Sequence, residues 1–156
     1  MKILVVFYSR TGSTKKIGEE IAKGVAADTE EIVDLKKRSG IIGWFASGKD
    51  AMQRKTTNIN IKKNPQDYDC VIIGTPIWAS NMAPAVRSYL KSHKLDNKKV
   101  NFFCTARGSG IEKTFSEMKK LVPNSDIGKN LVVLSREIKS GEYKEKVKSF
   151  LKINNQ

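Results

Sequence analysis

The chain has 156 residues, 39% of them hydrophobic, so it can bury one core and is too apolar for a disordered protein. Its 29 Lys and Arg residues outnumber 16 Asp and Glu residues, which gives a net charge of +13. This charge predicts attraction to nucleic acid, an anionic membrane surface or an acidic protein; the alternative is a solvated basic surface with no particular partner. No apolar run is long enough to span a membrane, and the two cysteines, Cys70 and Cys104, indicate buried thiols in a reducing, cytoplasmic location more than a disulfide framework.

Apolar runs alternate with helical spacings from the first residues onward. Lys2–Tyr8 is an apolar run typical of a strand buried on both faces; it is too short for a signal peptide, and no small-residue cleavage site follows it. The predicted strands are Lys2–Tyr8, Glu30–Leu35, Asp69–Gly74, Val100–Thr105 and Asn130–Arg136. The predicted helices are Ser13–Ala27, Ala83–Leu90, a stretch marked by Ile111, Phe115, Met118 and Leu121, and Glu142–Ile153.

A long segment, Lys36–Asn60, separates the second and third predicted strands and holds Trp44, Phe45 and Met52 among six lysines and arginines. We interpret it as a further helix that packs these three side chains on the sheet, because apolar residues at helical spacing are usually core. The alternative is an amphipathic flap near a ligand or a partner.

Five short strands that alternate with helices predict a parallel sheet covered on both faces. Right-handed crossovers leave few topologies, and one open sheet of order 2-1-3-4-5 fits this length as a single domain over residues 1–156. Ligands of such sheets bind beyond the carboxyl ends of the strands, so the loops at those ends are the candidate site.

The loop between the first strand and the first helix carries the strongest functional signal. It consists of Ser9, Arg10, Thr11, Gly12, Ser13 and Thr14. Four hydroxyls, a glycine for a tight bend and backbone N–H groups at a helix N-terminus form a cradle for an anion, and phosphate is the obvious one.

Other loops that bind or transfer phosphate fit these residues less well. No Gly-x4-Gly-Lys-Ser/Thr series follows Gly12, and the Gly-x-Gly-x-x-Gly fingerprint is absent from this loop. A phosphoacceptor receiver would need acidic residues where Ser9, Arg10 and Thr75 stand. Cys104 and Arg107 are wrongly spaced for a cysteine phosphatase.

Two further loops follow the third and fourth predicted strands. The first of them consists of Thr75, Pro76, Ile77, Trp78, Ala79, Ser80, Asn81 and Met82. Its Trp78 either stacks on a planar ligand, which its polar surroundings favour, or packs into the helix that follows. The second consists of Thr105, Ala106, Arg107, Gly108, Ser109 and Gly110, where glycines permit close approach of backbone to a ligand.

Together, Phe7–Thr14 and Gly74–Trp78 resemble the flavodoxin and flavodoxin-like family, and the resemblance covers essentially the whole chain. It implies an α/β flavodoxin-like three-layer sandwich with flavin mononucleotide (FMN) as cofactor. By the same resemblance, Ser9, Thr11, Ser13 and Thr14 would bind the FMN phosphate. Trp78 and its neighbours would hold the isoalloxazine ring, with Thr105–Gly110 at its other edge.

The chain departs from that family in two ways. Many flavodoxins have a second aromatic residue in the third loop, whereas Thr105–Gly110 has none, so one face of the flavin would lack a stacking partner. Many flavodoxins are also strongly acidic, whereas this chain is strongly basic, which bears on its partners and not on its fold.

The resemblance implies an electron carrier whose flavin cycles between quinone, semiquinone and hydroquinone, with a redox protein as partner. The positive charge is consistent with an acidic face on that partner; nucleic acid and a membrane surface are alternatives that are not favoured. The alternatives are an FMN-dependent quinone or protoporphyrinogen oxidoreductase of the same superfamily, its pocket walled by Ile41–Met52, and a basic binding or regulatory module without flavin. The sequence offers no cluster of potential metal ligands and no evident nucleophile–base pair, so no metal site or catalytic side chain is predicted; a flavin would supply the chemistry. The oligomeric state is left open.

Overall fold

Helices cover both faces of the central sheet in the computed structural model, which describes residues 1–152. The inner strands are therefore continuous apolar runs. The parallel strands of the sheet are β1 (Ile3–Phe7), β2 (Asp28–Glu31), β5 (Cys70–Trp78), β7 (Lys99–Ala106) and β8 (Asp126–Leu134). Three short strands complete the set: β3 (Val33–Asp34), β4 (Ile59–Asn60) and β6 (Asn81–Met82).

The parallel strands lie in the order β2-β1-β5-β7-β8, so the predicted order of the five main strands is confirmed. The reversal of winding falls between β1 and β5, whose carboxyl ends open a crevice at the edge of the sheet. Phe7 and Gly74 are paired across these two strands, which places the loops after them side by side.

The helices are α1 (Ser13–Val25), α2 (Gly40–Met52), α3 (Pro84–Ser92), α4 (Ile111–Lys120), α5 (Ser135–Ser140) and α6 (Tyr143–Lys152). Helices α1 and α6 pack on one face of the sheet, where Ile17, Ile21 and Val147 are buried. Helices α3 and α4 cover the other face through residues such as Tyr89 and Met118. The result is the predicted three-layer sandwich.

Several predicted boundaries are wrong for local reasons. The predicted second strand, Glu30–Leu35, is two strands, because β3 leaves the main sheet and pairs antiparallel with β4. The third continues through Trp78, where it pairs with β6. The fifth ends at Leu134, since Ser135 and Arg136 begin α5. Ile153, the predicted last helical residue, lies outside the described residues.

The segment Lys36–Asn60 contains the predicted helix, α2, but its predicted packing is wrong. Trp44, Phe45 and Met52 are 53%, 65% and 62% exposed. The buried residues of α2 are Gly43, Ser47, Asp50 and Ala51. A Cβ on Gly43 would lie 2.4 Å from the Arg38 carbonyl carbon, so the helix turns its small residues inward to approach the backbone closely. Its large apolar residues therefore face outward.

Both cysteines are buried and form no disulfide. Burial raises the pKa values of the Cys70 and Cys104 thiols, which keeps them protonated and unreactive. Across residues 1–152, no helix has the length and apolar character that crossing a membrane requires.

Candidate functional site

Loop 1, residues 9–12 between β1 and α1, ends in a helix N-terminus that no side chain caps. Gly12 is the N-cap residue, with φ of +95°, a left-handed conformation that favours glycine. The first turn of α1 contains no acidic residue, and open space surrounds the position of a Cβ on Gly12. The uncapped N–H groups and the positive end of the helix dipole therefore favour an anion here.

Two side chains of loop 1 form hydrogen bonds with backbone groups. The Ser9 hydroxyl accepts a hydrogen bond from the Gly12 N–H at 3.1 Å, which closes the loop. The Arg10 guanidinium donates to the carbonyls of Arg38 at 2.9 Å and Gly40 at 3.3 Å. Arg10 thus ties loop 1 to the start of α2, in addition to placing positive charge beside the anion cradle.

The first turn of α1 is also joined to β7. Thr14 is 2% exposed, and its hydroxyl lies 2.8 Å from the hydroxyl of Thr105 at the end of that strand. This buried pair fixes the position of loop 1 relative to loop 3, residues 107–110 between β7 and α4. The resemblance assigned Thr14 to a phosphate; in the structure its hydroxyl has a protein partner.

The predicted loop after the third strand is a β-hairpin. Thr75, Pro76, Ile77 and Trp78 continue β5, and Asn81 and Met82 form β6. Ala79 and Ser80 form the turn with φ of 46° and 60°, the signs of a type I′ turn. The Thr75 hydroxyl accepts from the Ala83 N–H at 3.0 Å, and Asn81 Nδ2 donates to the Ala79 carbonyl at 2.7 Å.

Asn81 keeps one buried acceptor free. Its Oδ1 has no hydrogen-bond partner among residues 1–152, although the residue is only 1% exposed. A buried polar atom without a partner is costly, so an N–H donor from a bound molecule would stabilise this hairpin.

Trp78 is half-buried and lies directly before the turn of the hairpin, where it pairs with Asn81. Its ring meets Tyr8 edge-on at a centroid distance of 5.5 Å, and the Arg38 guanidinium lies 5.9 Å from its centroid. These contacts hold the indole beside loop 1 rather than within the following helix. Burial raises the pKa of Tyr8, so its phenol stays protonated at neutral pH.

Loop 3 touches the hairpin. A Cβ on Gly110 would lie 2.4 Å from the Ser80 Cα, and Gly110 has a φ of +77°, so glycine is required here for two reasons. The contact brings together loops that follow two adjacent strands. Arg107, Gly108 and Ser109 beyond it are exposed, while Thr105 and Ala106 are buried as the last residues of β7.

Sequence reasoning missed a buried ion network next to these loops. The side chain of Arg38 is 3% exposed and pairs with Asp34 and Asp50. Burial opposes the guanidinium charge, but hydrogen bonds to both carboxylates outweigh it and raise the pKa of Arg38. The Asp34/Arg38 spacing of four residues was the signal in the sequence, although the two residues belong to no helix.

The network borders a cleft of about 580 Å³ between loop 1 and the segment before α2. The cleft is lined by Tyr8, Ser9, Arg10, Thr11, Asp34, Lys36, Lys37, Arg38, Ser39 and Gly40. Four of these side chains are basic and one is acidic, so the cleft attracts anions. Arg38 Nη2 is buried with no hydrogen-bond partner among residues 1–152.

The structure therefore brings all three predicted loops to one edge of the sheet. Exposed there are Thr11, Gly12, Ala79, Arg107, Gly108 and Ser109. Half-buried are Ser9, Arg10, Ser13, Pro76, Ile77, Trp78, Ser80 and Gly110. Buried, with mainly structural contacts, are Thr14, Thr75, Asn81, Thr105 and Ala106. An anion cradle beside a half-buried indole can hold a phosphorylated planar molecule.

A family model described as Flavodoxin matches residues 2–150 of the chain. Among solved structures, a candidate flavoprotein from Bacteroides eggerthii is 26% identical, with a TM-score of 0.76 over 89% of this chain and 94% of that one. A flavoprotein from Lactobacillus acidophilus, described in complex with FMN, is 21% identical, with a TM-score of 0.73 over 89% of this chain and 97% of that one.

A curated relative is described as an NAD(P)H dehydrogenase (quinone) from Chromohalobacter salexigens. It is 28% identical over 91 residues, which are 56% of this chain. The match spans 45% of the length of that relative.

Proposed function

Because this chain belongs to the flavodoxin family, we propose that it binds one FMN at the edge formed by its three loops and works in electron transfer. The observation that carries the proposal is the uncapped N-terminus of α1 behind Gly12. A dianionic phosphate needs several donors and no neighbouring acid, and the first turn of α1 provides that setting.

The other loops fit the ring of the same cofactor. Trp78 offers a flat face next to the cradle, and the free Oδ1 of Asn81 offers an acceptor for a ring N–H. The structurally similar flavoprotein from L. acidophilus is described with FMN, which supports this choice of ligand. Bound FMN would supply one- and two-electron chemistry; the chain's own residues bind the phosphate, orient the ring and cover part of it.

A substrate-specific oxidoreductase is the second candidate. The relative described as a quinone dehydrogenase supports it, as does the basic cleft of about 580 Å³ beside loop 1, which is large enough for a small-molecule ligand. Steady-state oxidation of NADPH with a soluble quinone separates the two candidates. Turnover at several per second favours the enzyme, whereas slow turnover together with rapid electron exchange with a redox protein favours the carrier.

A pair of matched glycine variants tests the phosphate cradle. Gly12 and Gly141 both have positive φ, at 95° and 87°, and both have open space at the Cβ position. Gly12→Ala and Gly141→Ala therefore carry similar backbone strain of about 1–2 kcal/mol, but only the first lies at the cradle. We expect Gly12→Ala to weaken FMN about tenfold, with a smaller effect on riboflavin, and Gly141→Ala to leave both affinities unchanged.

Fluorescence titration measures the affinity of each variant, and of the wild type, for FMN and for riboflavin. If Gly12→Ala lowered both affinities equally, the loop would not hold the phosphate. A wild-type chain that binds no FMN at micromolar concentration would refute the proposed cofactor altogether.

A further inference from the structure

Helix α2 presents an apolar surface to solvent. We call the α2 apolar face the side chains of Ile41, Ile42, Trp44, Phe45 and Met52. Ile41 and Ile42 are 77% and 86% exposed, and the rings of Trp44 and Phe45 pack edge to face at 5.0 Å. At 100° per residue, these positions occupy one side of the helix. Such an exposed apolar cluster indicates an interaction surface.

The outward orientation of this face is fixed by the other side of α2. Asp50 is buried and pairs with Arg38, and the Ser47 hydroxyl donates to the Gly43 carbonyl at 2.6 Å. Rotating the helix to bury Trp44 and Phe45 would expose this ion pair and drive larger side chains against the Arg38 backbone. The apolar face is therefore exposed by the fold.

Exposed basic residues flank the α2 apolar face in the sequence. Between Lys36 and Lys55 the chain has five exposed basic residues, a sixth, Arg38, that is buried in its ion network, and one acidic residue, Asp50, which is buried and already paired. Lys49, on α2 itself, forms no ion pair within residues 1–152, and neither does Lys37 just before the helix. No acidic side chain of this segment is free to meet a basic partner.

We propose that the α2 apolar face, with its basic border, docks the protein on an anionic lipid surface. Isoleucine, phenylalanine and tryptophan on one side of a helix, flanked by lysine and arginine, are what interfacial helices use. A second copy of the chain is a poorer occupant, since it would bring the same basic border against itself without an acid to neutralise it. The proposal does not depend on FMN.

Vesicle co-sedimentation of the full-length chain tests the proposal. We expect binding to phosphatidylcholine vesicles that contain 30–40% phosphatidylglycerol, roughly the charge density of an anionic membrane, and tenfold weaker binding to phosphatidylcholine alone. Binding to the anionic vesicles should also weaken as salt rises from about 0.05 to 0.5 M. No binding to anionic vesicles at low salt would overturn the proposal.

Two lysines make a matched charge test. Lys49 and Lys23 are both exposed, and each lies in the last turn of a 13-residue helix. Helix α2 contacts α3, whereas Lys23 belongs to α1 on the opposite face of the sheet. Lys49→Glu changes the charge by two units, and we expect it to weaken vesicle binding about thirtyfold, which is about fivefold per unit of charge. Lys23→Glu should change vesicle binding less than threefold. Equal effects would mean attraction by total charge and would overturn the docking surface.

The apolar part is tested by the double variant Ile42→Gln and Phe45→Gln. Both side chains are exposed, so the thermal midpoint and FMN uptake should match the wild type while vesicle binding falls at least tenfold. Unchanged vesicle binding in this variant would overturn the proposal. A second result would also overturn it: the wild type is a dimer in sedimentation equilibrium, the double variant is a monomer, and neither binds vesicles. A second copy of the chain would then be the occupant of the α2 apolar face.

Discussion

The hydroxyls of Thr14 and Thr105 show how single residues link the loops of the site. Each is buried and lies within hydrogen-bond distance of the other, across a sequence separation of 91 residues. Truncating either one would leave the other buried without a partner, which costs about 1–3 kcal/mol. This pair therefore sets the spacing between the phosphate cradle and the loop predicted to flank the ring, whether or not Thr14 also touches a ligand.

Trp78 gives the residue-scale prediction for the ring. The chain has two tryptophans, so Trp44→Ala on the exposed face of α2 is the matched control for Trp78→Ala. We expect Trp78→Ala to weaken FMN about two- to tenfold and to raise the fluorescence of the bound flavin, because a stacked indole contributes about 0.5–1.5 kcal/mol and quenches the ring. Trp44→Ala should change neither quantity. If the fluorescence of the bound flavin is quenched equally in both variants, a group other than Trp78 stacks on the ring.

At the scale of elements, ion pairs and hydrogen bonds join α2 to the segment before it and to loop 1. Asp50 accepts hydrogen bonds from Lys36 and Arg38, and Arg10 reaches the carbonyls of Arg38 and Gly40. Burial alone would raise the pKa of Asp50, but the bonds from Lys36 and Arg38 outweigh it and lower that pKa. The position of α2 should therefore depend on pH.

The sign of that dependence follows from the lowered pKa. Asp50 favours the folded state above its unfolded pKa of about 4, and this contribution is lost as the pH falls through the lower folded value. Asp50→Asn should therefore destabilise the protein by about 3 kcal/mol at pH 7, the low end for breaking a buried pair, and by progressively less as the pH falls below about 4.

Denaturant unfolding at pH 7 and at a pH below about 4 measures this difference, with Asp96→Asn as control. Asp96 is exposed and forms no ion pair within residues 1–152. The control should lose less than about 0.5 kcal/mol at either pH. An Asp50→Asn variant as stable as the control at pH 7 would show that the network does not hold α2.

Most of the fold could be predicted because its main elements have clear hydrophobic periods. Buried strands such as β1 are continuous apolar runs, and the alternation with helices sets the sheet order. The hairpin after β5 was missed, since β6 has two residues and its turn uses Ala79 and Ser80 instead of the Asn-Gly pair that usually marks such turns. Strand pairing, and not local pattern, forms this element.

The packing of α2 could not be derived from periodicity alone. The same 3.6-residue spacing describes an apolar face turned toward the core or toward solvent. What decides is the opposite stripe of Gly43, Ser47 and Asp50, together with a distant partner for the charge, Arg38. The three candidate loops, by contrast, were predictable as a group because parallel strands end at a common edge.

For the whole molecule, the net charge of +13 distinguishes this chain from acidic flavodoxins and bears on its partner. Exposed charges are screened beyond about 8–10 Å at physiological salt, so the residues near the ring matter more than the total. Arg107 is exposed in loop 3, at the edge where the ring is expected. We propose that a redox partner presents an acidic face to this edge.

The rate of electron transfer from an acidic redox protein tests that proposal. Electrostatic steering raises the association rate of oppositely charged proteins by about 10- to 10³-fold at low salt, and raising the ionic strength removes this increase. We therefore expect the second-order rate constant to fall at least tenfold between about 0.01 and 0.3 M salt, with little change for an uncharged small-molecule reductant.

Arg107→Gln should reduce the low-salt rate more than Lys144→Gln. The second variant removes the same charge from an exposed position on α6, on the face of the sheet away from α3 and α4. A rate that stays flat with salt across several acidic donors would exclude electrostatic steering while leaving the FMN site unaffected, because binding of the cofactor depends on loop 1 and not on the field of the surface.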